Sequence, residues 1–138
     1  MSAFVDTSAL YALLVRTEEG HAQVAAAFDR LLELGRGLVT SNYVLVETVA
    51  LLQRRFGLAA VRDLDARIVP LLTLRWIDEA QHRRAMERLQ RTDRRGLSLV
   101  DCASFTLMDA EGIEEALALD RDFVTEGYRV LPSLPPNS

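Results

Sequence analysis

Four short stretches of the chain place an acidic residue directly after an apolar one, within or at the end of an apolar segment. They are Val5-Asp6-Thr7-Ser8, Val46-Glu47-Thr48, Val100-Asp101-Cys102 and Leu119-Asp120-Arg121-Asp122. Burying a carboxylate costs several kcal/mol unless a partner compensates it, so apolar segments usually exclude it. A single such acid reads as a helix cap or an ion pair; four suggest a shared cation. Clustered carboxylates are the donor set of hard ions such as Mg²⁺ and Mn²⁺. With such an ion the chemistry is phosphodiester hydrolysis, in which the metal polarises a phosphoryl oxygen and lowers the pKa of a bound water. Asp6 is the expected central ligand. Asp101 and Asp120 complete the sphere, and Glu47 binds metal or orients the water. Asp122 is a further candidate, as an outer ligand or as a cap for the turn around Phe123. Thr7 and Ser8 can hydrogen-bond Asp6 or a metal-bound water, although capping explains Ser8 equally well.

Competing chemistries meet obstacles in the composition. All sixteen basic residues are arginine, which removes every mechanism that needs a lysine, including those of phosphoacceptor receiver domains and haloacid-dehalogenase phosphatases. No glycine-rich GKT or GKS loop is present. The sole cysteine, Cys102, lies in an apolar helix and reads as core; alone it makes no disulfide and no thiolate zinc site. His21 and His82 read as surface residues on polar helix faces. The net charge of −4 argues against a protein coated in positive potential. Yet His82 to Arg95 holds six arginines against Glu87 and Asp93. A solvated face explains most of them. Arg94 and Arg95, just before the Asp101 segment, are the best candidates to touch a phosphate backbone.

The elements that must carry these residues alternate. A buried strand over Ala3–Val5 leads into a helix from Ser8 to Arg16, capped by Ser8 or Thr7. An amphipathic helix over His21–Leu34 stops at Gly35. A strand over Gly37–Thr40 precedes a helix capped by Ser41 or Asn42 that reaches about Phe56, and Leu58–Ile68 forms another helix ended by Pro70. A strand over Leu71–Trp76, a helix from Asp78 to about Thr92 and a helix from Ser98 to about Glu111 follow. Strands over Ala116–Leu119 and Arg129–Leu131 complete the pattern. Alternation of this kind predicts a single α/β domain, a three-layer α/β/α arrangement on a parallel five-stranded sheet, with right-handed crossovers. A strand order 3-2-1-4-5 makes the strands ending at Asp6 and Asp120 neighbours, at the switch point where such sheets keep their sites. Residues 1–131 form the expected domain, and 132–138 a flexible tail. No secretory signal or apolar run long enough to span a bilayer is read, so a cytoplasmic protein is expected.

Taken together, Val5-Asp6-Thr7-Ser8-Ala9-Leu10, Thr40-Ser41 with Glu47, Leu97-Ser98-Leu99-Val100-Asp101-Cys102-Ala103-Ser104-Phe105 and Ala118-Leu119-Asp120-Arg121-Asp122-Phe123 with Gly127 resemble the PIN domain family, and more narrowly its VapC-type toxin ribonucleases. The resemblance spans nearly the whole chain. It implies a PIN-like fold and a Mg²⁺- or Mn²⁺-dependent endoribonuclease with Asp6, Glu47, Asp101 and Asp120 as its acidic site. It also implies a homodimer, an RNA substrate that Arg94, Arg95, Thr7 and Ser8 could contact, and a small antitoxin partner. The family often carries Thr before the last Asp, where this chain has Leu119, a departure that bears on substrate positioning. The alternatives are a non-toxin RNA-processing nuclease, a non-catalytic RNA-binding or assembly module, and a DNA nuclease on the same scaffold.

Overall fold

The computed structural model describes residues 1–134 of the 138-residue chain. Its five strands are β1 (Ser2–Val5), β2 (Gly37–Ser41), β3 (Thr73–Arg75), β4 (Glu115–Leu117) and β5 (Arg129–Leu131), in the order β3-β2-β1-β4-β5. Every neighbouring pair is parallel, as the expected order 3-2-1-4-5 requires. Ala3, Phe4 and Val5 are fully buried. Side chains alternate between the faces of a strand, so β1 is covered on both sides. Most of the expected tail, residues 135–138, lies outside the described residues.

Seven α-helices connect the strands: α1 (Thr7–Leu14), α2 (His21–Glu33), α3 (Asn42–Phe56), α4 (Leu58–Asp63), α5 (Glu79–Thr92), α6 (Leu99–Glu111) and α7 (Asp122–Thr125). Four of them, α1, α3, α5 and α6, start at a side-chain cap. Ser41 caps α3 by accepting from the Val44 amide. Asp78 and Ser98 cap α5 and α6 through reciprocal boxes with Gln81 and Asp101. The cap of α1 is Asp6, not the expected Ser8 or Thr7. The helix expected over Leu58–Ile68 is α-helical only to Asp63; a π-helical stretch over Leu64–Ile68 and a 3-10 turn over Val69–Leu71 follow. Pro70, which lacks a backbone donor, sits in that last turn.

The fourth strand ends earlier than its apolar run suggests, at Leu117 rather than Leu119. The Ala118 amide still pairs with the Leu131 carbonyl, but the Leu119 amide turns to the Ser8 hydroxyl at 2.9 Å. Asp120 therefore lies in a loop three residues beyond the strand, not at its end. The core beneath the loop is aromatic. Phe123 at the start of α7 stacks on Phe4 of β1, with centroids 6.4 Å apart, and meets Phe105 of α6 edge-on at 4.9 Å. Gly20, which precedes α2 with φ +86°, lies under the same loop. A Cβ there would come within 3.0 Å of Leu119 Cδ1. The Leu119 side chain is thus seated on the α1–α2 turn.

Candidate active site

Asp6 follows β1 directly, and its amide extends the β1–β4 ladder by donating to the Leu117 carbonyl at 3.0 Å. Its carboxylate is buried, and Oδ2 accepts from the Ser8 amide at 3.2 Å and the Ser8 hydroxyl at 2.6 Å. The hydroxyl has one proton, which goes to Asp6, and its oxygen accepts from the Leu119 amide. Ser8 thereby joins the end of β1 to the β4–α7 loop. Burial raises the Asp6 carboxyl to about 7, against the two Ser8 bonds that lower it; Asp101 and Asp120 raise it further.

Asp101 stands in the first turn of α6. Its Oδ2 accepts from the Ser98 amide at 3.0 Å, which holds the carboxylate at a defined angle. Burial raises its pKa, the Ser98 bonds lower it, and Asp122 and Glu47 add repulsion. Asp120 Oδ1 accepts from the Asp122 amide at 2.9 Å, which folds the loop back toward α7. Burial again raises its pKa, with repulsion from Asp101 and Asp122 adding to the effect. One carboxylate oxygen from each of Asp101, Asp120 and Asp122 lies within 4.8 Å of the others.

The five acids thus form one electrostatic unit. Asp101, Asp120 and Asp122 are in mutual reach, Asp6 feels Asp101 and Asp120, and half-buried Glu47 feels Asp101. Partly buried carboxylates this close repel one another without a counter-charge. All-oxygen donors in this density suit a hard divalent cation. Asp6 and Asp101 also serve as cap and capping-box residues, so the local structural role and the shared-cation role coexist in the same side chains.

The remaining candidates separate. Ser8 belongs to the site through Asp6, whereas the Thr7 hydroxyl is buried with no hydrogen-bond partner among the described residues. Arg94 is bound to Asp122 Oδ1 at 2.6 Å and lies 3.8 Å from Glu126. Arg95 is exposed. Leu119 enters the site by its backbone amide alone. The two histidines are half-buried and engaged rather than free surface residues: His21 Nδ1 meets the Ala12 carbonyl at 2.7 Å and His82 Nδ1 the Tyr43 hydroxyl at 2.5 Å. Cys102 is buried, as expected of a core residue. The Leu119 amide and Glu126, the second acid beside Arg94, are additions that no spacing in the sequence announced.

The PIN domain family model matches residues 3–125. The 23S rRNA-specific endonuclease VapC20 of Mycobacterium tuberculosis is 39% identical over 92 residues, covering 66% of this chain and 70% of VapC20. The crystal structure of the M. tuberculosis VapC20, a sarcin–ricin loop cleaving toxin, superposes with a TM-score of 0.79 at 36% identity, over 92% of this chain and 96% of that one. FitAcB from Neisseria gonorrhoeae shares the fold, with a TM-score of 0.69 at 16% identity over 94% and 96% of the two chains.

Proposed function

The chain belongs to the PIN domain family, and on that premise we propose that it is a Mg²⁺- or Mn²⁺-dependent endoribonuclease toxin that cuts the sarcin–ricin loop of 23S rRNA. The observation that carries the chemistry is the convergence of Asp101, Asp120 and Asp122 within 4.8 Å, beside the buried Asp6. The substrate assignment rests on the identity to VapC20. A small antitoxin encoded nearby, a homodimer and a cytoplasmic location complete the reading. Exposed Val46, Phe56, Leu58 and Trp76 are apolar surface for such protein contacts. Among the described residues no helix is long and apolar enough to cross a membrane.

In this reading Asp6, Asp101 and Asp120 hold the cation, and Asp122 contributes from the rim. When bound, the ion polarises the scissile phosphoryl group and acidifies a water. Ser8 keeps the Asp6 carboxylate facing the cluster, and the Ser98 amide does the same for Asp101. Glu47 orients the attacking water and takes its proton on the carboxylate. Arg94, paired with Asp122, sets a positive charge at the rim of the cluster that partly neutralises its carboxylates.

Incubation of purified protein with an RNA containing the sarcin–ricin loop tests the proposal. Cleavage should require Mn²⁺ or Mg²⁺, stop with EDTA and vanish in Asp6→Asn, which keeps the side chain's shape but removes its charge. Cleavage that persists in EDTA or in Asp6→Asn would overturn it.

A further inference from the structure

A shallow groove runs between α5 and α6. Arg84, Glu87, Arg88 and Arg91 of α5 line one wall, and Thr106 and Asp109 of α6 line the other. The three arginines fall at i, i+4 and i+7, on one face of the helix. Like charges at that spacing repel, so a face built only for solvent gains nothing from them. Acidic partners usually offset such a row. Here they offset only the middle member. Arg88 bonds Asp109 at 3.1 Å and Glu126 at 3.2 Å, with its guanidinium over the Phe105 ring. Glu87 stands three residues from Arg84 and four from Arg91, yet neither arginine forms a salt bridge among the described residues. Arg84, Arg91 and Arg95 are all exposed.

The row also has a direction. The loop joining α5 to α6 turns at Asp93, whose φ is +52°, and brings Arg94 onto Asp122 at the rim of the acidic cluster. Arg91 is in the last turn of α5, three residues before Arg94. Arg84 is about 10 Å further along the helix axis, at 1.5 Å per residue. Arg91 and Arg84, without a salt bridge among the described residues, therefore flank the paired Arg88 on a line that leads away from the acids, on a chain whose net charge is −4. Guanidinium groups in a row match the phosphates of an extended backbone, which carries one charge per nucleotide.

We infer that the α5–α6 groove is the track for the RNA backbone flanking the cut, with Arg84 and Arg91 contacting phosphates and Arg88 fixed as a structural strut between them. This inference rests on the nuclease reading for the polarity of the track, but its binding test does not require cleavage. The probe is a fluorescein-labelled RNA stem–loop, followed by anisotropy in EDTA between about 50 and 200 mM KCl. Each lost phosphate contact lowers the slope of log affinity against log salt by about 0.7 to 0.9. The double variant Arg84→Gln/Arg91→Gln should therefore lower it by about 1.4 to 1.8. Arg62→Gln/Arg67→Gln, outside the groove, should leave it unchanged. Both pairs are exposed, so the fold should survive, and circular dichroism checks that it does. With Mn²⁺ the groove variant should raise KM and keep kcat.

A groove variant with the wild-type salt slope overturns the inference, as does an equal loss in the Arg62/Arg67 variant. A wild-type protein that binds RNA through this slope but never cuts it would leave the track standing and remove the nuclease reading. Metal-dependent cutting with the slope unmoved in the groove variant would do the reverse.

Discussion

The Ser8 hydroxyl lies 2.6 Å from Oδ2 of Asp6 while its oxygen accepts the Leu119 amide at 2.9 Å, so one side chain ties the central acid to the loop that carries Asp120 and leads into Asp122. Ser8→Ala removes both bonds and leaves a buried amide and a buried carboxylate short of a partner. A cost of about 1–3 kcal/mol in stability is expected from the unsatisfied groups. The effect on activity should be larger, because Asp6 and the Asp120 loop lose their shared tether. A fall in kcat of about 10-fold to 100-fold with the fold intact is the expected result. Ser8→Thr, which keeps the hydroxyl, should recover much of it. Equal activity in Ser8→Ala and wild type, measured by gel-resolved RNA cleavage, would remove Ser8 from the site.

The proton on Asp6 gives a pH dependence with a definite sign. Its carboxyl is raised from 3.8 to about 7 in the folded protein, chiefly by burial. A folded pKa above the unfolded one means that the folded state holds the proton more tightly. The corresponding stability is complete below about pH 4 and is lost as pH rises through about 7. In EDTA, thermal unfolding should therefore show this group's contribution declining from pH 4 to pH 7, and Asp6→Asn should flatten that part of the curve. Metal affinity should move the other way, because a ligand must be deprotonated. Calorimetric Mn²⁺ affinity that is constant from pH 5.5 to 8 would contradict the assignment of Asp6 as a ligand.

The parts of this site that were legible in the sequence are those set by local chemistry. Ser41, Asp78 and Ser98 cap their helices where capping residues precede amphipathic runs. Apolar runs broken by turn residues marked all five strands. The strand order followed from the statistics of α/β sheets. Misreadings arose where a tertiary contact overrides a local preference. Apolar Ala118 and Leu119 extend the β4 pattern, but the Leu119 amide is taken by a hydroxyl 111 residues away in sequence. Asp6 rather than Ser8 caps α1, because Ser8 is committed to that bridge. The hold of Arg94 on Asp122 and that of Tyr43 on His82 join elements 28 and 39 residues apart. No spacing rule reaches those distances.

Arg94 and Asp122 allow a test in which the two members of one ion pair move the same quantity in opposite directions. Arg94 Nη2 sits 2.6 Å from Asp122 Oδ1, while another Asp122 contact faces the Asp101–Asp120 pair. Arg94→Gln removes a cation from the rim and leaves the carboxylates less neutralised. Mn²⁺ should then bind several-fold more tightly. Asp122→Asn removes a donor and should weaken binding. The pair is part-exposed, so stability should change by about 1 kcal/mol or less in each variant. Weaker Mn²⁺ binding in both variants would show that Arg94 acts by holding Asp122 in place rather than by its charge.

The packing under the loop makes a prediction of stability separate from chemistry. Phe123 is fully buried, stacks on Phe4 and meets Phe105 edge-on. It follows Asp122 directly, so its ring anchors the turn that sets Asp120 and Asp122. Phe123→Ala leaves a cavity that neighbouring rings fill only in part and should cost about 3–5 kcal/mol. Phe123→Leu keeps most of the volume and should cost less, about 1–2 kcal/mol. Chemical denaturation gives both values. If the ring also places the acids, Phe123→Leu should lose Mn²⁺ affinity out of proportion to its stability, measured where the variant is fully folded. A Phe123→Leu protein with wild-type Mn²⁺ affinity would show that the β4–α7 loop keeps its geometry through the Ser8–Leu119 and Asp120–Asp122 hydrogen bonds alone.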